Sequence, residues 1–135
     1  MKKILLLIVA ISTLTSCSID DNMPSYYLEV LPIESAEMPE EFVLGETHEI
    51  FIDYTRPTGC YVFNDFLYQI NEQERTISIL NTVYTDRPCE EDLETVTVSF
   101  QFIVTSLETY IFKFYQGEDE DEVDQYLIME VPVVE

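Results

Sequence analysis

The stretch "VTVSFQFIV", residues 96–104, constrains the fold more than any other part of this chain. Val96, Val98, Phe100, Phe102 and Val104 fall at every second position, with Thr97, Ser99 and Gln101 between them. A period of two puts the apolar set on one face of a strand and the polar set on the other. In a helix the same residues would be scattered around the axis and leave no apolar stripe. The segment is therefore predicted to be a strand, and it needs an apolar layer to cover its buried face.

Six further segments have the same grain: residues 27–31, 48–54, 61–70, 76–84, 109–115 and 125–133. Breakers separate them: Gly45, "RPTG" at 56–59, "NEQE" at 71–74, "DRPCEED" at 86–92, "SLE" at 106–108 and an acidic run at 118–124. Seven strands at this spacing with no helical crossover predict an all-β, antiparallel two-sheet sandwich. Immunoglobulin-like topology is the expected form and a Greek-key β-barrel the alternative. Composition agrees. Nine Tyr and eight Phe accompany many Val and Ile, residue types that suit a pleated, half-buried surface. Pro132 predicts an edge position for the last strand, because proline cannot donate to a ladder on both sides. With 135 residues the chain suffices for one domain and its core.

The amino terminus reads differently. Lys2 and Lys3 precede "ILLLIVAI" at residues 4–11, and small, mostly polar residues follow at 12–16. That is the layout of an export signal. Eight apolar residues rise only about 12 Å as a helix, against a hydrocarbon core of roughly 30 Å, so a membrane-spanning anchor is a poor fit. The segment ends Leu14-Thr15-Ser16-Cys17, which resembles the lipobox of bacterial lipoproteins. The resemblance implies diacylglyceryl transfer to the Cys17 thiol, cleavage before it, and acylation of the new amino group. Several acyl chains on one residue make a stable anchor where a single chain is marginal.

After Cys17, Ser18 replaces the Asp that would hint at retention in the inner membrane, which favours the outer membrane. "SIDDN" at 18–22 resembles the acidic tether of surface-exposed lipoproteins of the Bacteroidota, with Ile19 interrupting the pattern. Much of the remaining chain, "YTRPTGCYVFN…VYTDRPC…TYIFKFYQG…QYLIMEVPV", is similar to small outer-membrane lipoproteins of that group. This likeness implies no particular activity. The expected organisation is a signal peptide at 1–16, a lipidated Cys17 and tether at 17–25, and a β-sandwich at 26–135.

With Cys17 assigned to the anchor, Cys60 and Cys89 remain as a pair in an exported protein, where disulfides persist. Neither lies in a C-x-x-C motif and the chain has one histidine, His48, which argues against a thiolate zinc site. A Cys60–Cys89 bridge is therefore expected, holding the loop before residues 96–104 to the start of the third strand.

The chain carries 27 acidic residues against six basic ones. Glu118, Asp119, Glu120, Asp121, Glu122 and Asp124 occupy six of seven positions, and Glu90, Glu91, Asp92 and Glu94 follow Cys89. Hard cations take several oxygen ligands from flexible loops, so a weak Ca²⁺ site is one reading of the 118–124 run. The spacing lacks the D-x-[DN]-x-[DN]-G order and has no internal glycine for the turn. The plainer reading is a solvated connector that blunts neighbouring edges. In an immunoglobulin-like order both acidic loops fall at one end, a pole that repels nucleic acid and anionic headgroups. No other cofactor is expected.

Catalysis finds little footing, because nucleophilic schemes need a positioned base and His48 sits at a strand start where a surface or edge histidine is ordinary. The aromatics Tyr61, Phe63, Phe66, Tyr68, Tyr110, Phe112, Phe114 and Tyr115 offer a possible stacking platform for sugar rings, although alternation assigns about half to the core. In residues 61–70 aromatic residues occur on both parities. The sequence thus predicts a non-catalytic, lipid-anchored module of the outer membrane, surface-exposed, meeting a protein or glycan partner. The alternative is a calcium-binding structural surface protein.

Overall fold

A computed structural model describes residues 16–17 and 23–135. Residues 1–15 of the expected signal peptide and the tether residues 18–22 lie outside the described residues. The described chain is all strand and turn. It runs β1 (Tyr26–Leu31), β2 (Ile33–Glu37), β3 (Phe42–Val43), β4 (Thr47–Arg56), β5 (Tyr61–Asn71), β6 (Glu74–Tyr84), β7 (Glu94–Ile103), β8 (Tyr110–Glu118), β9 (Asp124–Val131) and β10 (Val133–Val134). One sheet holds β5, β6, β1, β8 and β9, and the other holds β2, β4 and β7. A short parallel pair joins β3 to β10. The layers pack as a sandwich, with no closed barrel.

All seven expected strands are present, and three short ones join them for physical reasons. Pro32 breaks one strand into β1, which pairs with β6, and β2, which pairs with β4 in the opposite sheet. A residue with fixed φ and no N–H ends the first ladder and lets the chain change layer. Pro132 does the same between β9 and β10, and its carbonyl accepts from Phe42 N at 2.8 Å. The expected sandwich is present, and its strand order is its own: β5, β6, β1, β8 and β9 share one sheet and β2, β4 and β7 the other. Residues 74–77 of β6 run parallel to 111–114 of β8, because β7 crosses to the other sheet and the chain returns in its original direction. The two-residue β3 has no period for sequence reasoning to detect.

Alternation holds where it was strongest. Phe102 and Val104 are buried, Val96, Val98 and Phe100 are half-buried, and Thr97, Ser99 and Gln101 are exposed. Opposite them, β6 buries Ile77, Ile79, Asn81 and Val83, and β8 buries Tyr110, Phe112 and Phe114. Phe102 stands edge-on to Tyr110 at 4.9 Å and to Phe112 at 5.2 Å, and Phe42 closes the cluster 5.2 Å from Phe102. Such edge-to-face pairs add to the stabilisation from area alone.

In β5 the two aromatic parities resolve into one face. The register with β6 slips between Phe63 and Asp65, a β-bulge that inserts Asn64. Phe63 faces Asn81 and Phe66 faces Ile79, both core-facing positions of β6. One extra residue shifts the side-chain period by one, so odd positions before the bulge and even positions after it point inward together.

Tyr110 also closes the turn between β7 and β8. Its buried phenol oxygen accepts from Thr105 N at 3.2 Å and from Ser106 N at 3.1 Å. Tyr110→Phe is expected to leave both donors unpaired and cost about 1–3 kcal/mol. Phe112→Ala is expected to cost about 3–5 kcal/mol by opening a cavity. Equilibrium denaturation of the two variants, giving the larger loss for Phe112→Ala, checks both.

Candidate functional site

Because β6 and β8 run parallel, the loops at 85–93 and 119–123 leave the same pole of the sandwich. The chain also enters here, where Thr85 N donates to Ser25 O and Thr85 Oγ1 donates to Ser25 Oγ, both at 2.9 Å. Cys17 is exposed and unbridged, eight residues before Ser25. That length spans at most about 28 Å, at roughly 3.5 Å per residue.

The expected disulfide Cys60–Cys89 lies at this pole and ties the start of β5 to the loop before β7. Cys60 is buried, and Gly59 N donates to Glu90 O at 3.0 Å beside the bridge. The two residues are 29 apart in sequence, so the loop-closure entropy removed from the unfolded chain amounts to about 3.5 kcal/mol.

The acidic run spans three settings. Glu118 ends β8, Asp119 to Glu122 form the turn, and Asp124 begins β9. Asp119 serves the backbone: Oδ1 accepts from Asp121 N at 2.8 Å and Val123 N at 3.0 Å, and Oδ2 accepts from Gln125 Nε2 at 3.2 Å. Gly117 at φ 90° and Glu122 at φ 61° supply the left-handed turns that close the hairpin. Among the described residues, no group of three or more His, Cys, Asp or Glu side chains converges to hold a metal ion. The calcium reading thus has no ligand set to support it. Glu90, Glu91, Asp92 and Glu94 share the pole, and Glu94 pairs with Arg56.

His48 is half-buried with its ring 4.9 Å from Phe42, and its Nε2 accepts from Val43 N at 3.3 Å. The contact braces β3 against β4. A second polar group lies in the core, where Tyr54 donates to Asn81 Oδ1 at 3.1 Å, both side chains being fully buried. Glu29 stands opposite Asn81 in the β1–β6 register, and its carboxylate, together with burial, pushes the Tyr61 pKa up. Burial pushes up Tyr54 and Tyr68. Sequence reasoning did not single out Glu29 or Asn81, because a lone polar residue in a strand carries no sign of which face it occupies.

The expected aromatic platform divides. Tyr110, Phe112 and Phe114 are core, Tyr61 and Phe63 are half-buried against it, and Tyr115 lies on the outer face 5.9 Å from Tyr126. Phe66 and Tyr68 line a groove of about 490 Å³ between the free edges of β5 and β7. Its other walls include Phe100, Ile70, Ile103 and Arg75. Phe66 meets Phe100 at 5.2 Å, and the Arg75 guanidinium carbon lies 5.1 Å from the Tyr110 ring centroid. A groove of this volume is within the range that takes a small ligand. Arg75 and Ile103 were not legible as its walls, since only the sandwich brings β6 and β7 to one rim.

Residues 1–18 match a family model described as the prokaryotic membrane lipoprotein lipid attachment site. No curated protein and no solved structure matches the chain. The match supports a membrane-anchored lipoprotein of the cell envelope.

Two outcomes follow from this geometry. Replacing both Cys60 and Cys89 with Ala is expected to lower stability by about 3.5 kcal/mol, read as a fall in melting temperature by calorimetry. Tyr54, Tyr61 and Tyr68 have folded pKa values above the ordinary 10.0. The unfolded chain therefore releases these protons first. The stability these three groups contribute is fully present below pH 10 and is lost as pH rises above it towards their folded pKa values. Ultraviolet tyrosinate titration alongside circular dichroism is expected to show late ionisation coupled to unfolding.

Proposed function

We propose that this protein is a non-catalytic lipoprotein held in the outer membrane by acyl chains on Cys17 and displayed at the cell surface. There the sandwich presents its aromatic groove to a protein or glycan partner. The observation that carries the reading is the lipid-attachment match over residues 1–18, which ends just past Cys17. Cys17 stands exposed ahead of the first strand, so acylation there leaves the fold untouched.

Three features support the finer parts. A disulfide suits an oxidising compartment outside the cytoplasm. The acidic loops share the pole from which the tether leaves, so their field acts between the domain and an anionic membrane surface and holds the sandwich away from it. The groove exposes aromatic and aliphatic surface beside Arg75 and Asp65, a mixture that suits stacking against a sugar ring or an apolar side chain. The one histidine is committed to a backbone contact, which leaves the groove without an imidazole base.

Intact-mass measurement of protein extracted from membranes tests the anchor. The expected product begins at Cys17 with added acyl mass, and Cys17→Ser is expected to leave the protein uncleaved at that site and without acyl mass. A product beginning at Met1, or cleaved without acyl mass, overturns it. Protease treatment of intact cells tests display: the domain is expected to be digested without lysis.

A further inference from the structure

We infer that two copies of this chain pair through β7, edge to edge and antiparallel, to form a two-fold dimer. Exposed sheet edges present unpaired backbone groups, and natural proteins guard them with charge, proline or bulges. Among the described strands, β2 carries Glu34, Glu37 and a register shift at Ser35, and β5 carries Asp65 and its bulge. β1 carries Glu29 and ends at Pro32, and β9 carries Asp124 and Glu130 and ends at Pro132. β7 has none of these over residues 95–103. It pairs with β4 through ten consecutive positions without a shift and has no other neighbour.

The free edge is well defined. Val104 N donates to Glu46 O at 3.0 Å, in the same register as the β4–β7 ladder. By the alternation of an antiparallel pair, even-numbered residues bond to β4. The N–H and C=O groups of Thr95, Thr97, Ser99, Gln101 and Ile103 therefore point outward. The carboxylates nearest this edge are held back by local partners. Thr97 Oγ1 donates to Asp53, Ser99 Oγ donates to Glu49 at 2.7 Å, and Arg56 pairs with Glu94.

Charge selects the occupant. An added strand must be apolar at alternate positions on the side of Phe66 and Phe100, and uncharged on the side of Glu49 and Asp53. In a chain with 27 acidic residues, β7 meets that requirement itself, so a second copy can approach along β7 without facing a carboxylate. Pairing about Ser99 puts Val98 opposite the partner's Phe100 and Thr97 opposite the partner's Gln101. The dimer joins two three-stranded sheets into one of six strands, with the two grooves meeting across the axis.

Disulfide trapping in the full-length protein in its own membrane tests this. Ser99→Cys is expected to give a covalent dimer on a non-reducing gel, because paired positions at the axis stand about 5.5 Å apart, within disulfide reach. Ser35→Cys on the β2 edge is the control. No excess of dimer for Ser99→Cys over Ser35→Cys, with both proteins reaching the membrane, overturns the proposal. Ser99→Pro removes a donor that the β4 ladder does not use, and it is expected to weaken the dimer about tenfold or more by deleting two symmetric hydrogen bonds. Retention of the dimer by folded Ser99→Pro overturns it; should circular dichroism show that variant unfolded, Ser99→Asp gives the same reading, because its carboxylate meets its own symmetric copy at the axis beside Glu49. Raising salt is expected to strengthen pairing between two acidic copies by screening their repulsion. A dimer that dissociates with salt instead indicates a basic partner and overturns self-pairing.

Discussion

Phe102 is the contact on which the two layers depend. It belongs to β7 in the three-stranded sheet, yet its ring lies against Tyr110 and Phe112 of β8 in the other sheet and against Phe42 of β3. With it in place, Tyr110 is positioned to accept from the 105–106 backbone and set the turn between β7 and β8. Phe42 in turn holds β3 where Pro132 can accept from its amide. The apolar face of β7 and the direction in which β8 re-enters its sheet are thus joined at one cluster.

That cluster leaves the sandwich with two unlike regions. At one pole stand the disulfide, the acidic loops and the point where the chain enters from Cys17. Along one side, the sheets open between β5 and β7 into a groove with aromatic walls. The first region is cross-linked by the disulfide and strongly negative. The second exposes the surface with which another molecule can make dry contact. In a chain with so many carboxylates, the scarce uncharged surface is where recognition is favourable, since burying unpaired charge is costly.

Much of the fold was legible in local pattern. The alternation at 96–104, the breakers between strands and the parity of Cys60 and Cys89 led to seven strands and one bridge, all present in the structure. The division of the proline-bent strands was not legible in the same way, because Pro32 marks a bend without saying that the chain changes sheet there. Nor was the bulge at Asn64, which looked like aromatics on two faces and proved to be one inward face. The candidate site was half legible. Phe66 and Tyr68 stood out as aromatics, but Arg75, Phe100 and Ile103 became their neighbours only through packing of strands distant in sequence. The acidic run drew attention as a cluster of ligands, whereas Asp119 spends both oxygens on the turn and its own Gln125.

The sequence by itself determined what depends on near neighbours along the chain. The Lys-apolar-small order ending in "LTSC" requires no fold, and a period of two defines a buried face wherever a strand lies. Only the tertiary structure decided which strands are neighbours, that β6 and β8 run parallel, which edges stay open, and whether carboxylates converge. These properties arise from contacts between residues tens of positions apart. Such contacts are set by how the apolar faces pack across the sandwich, and no local period encodes them.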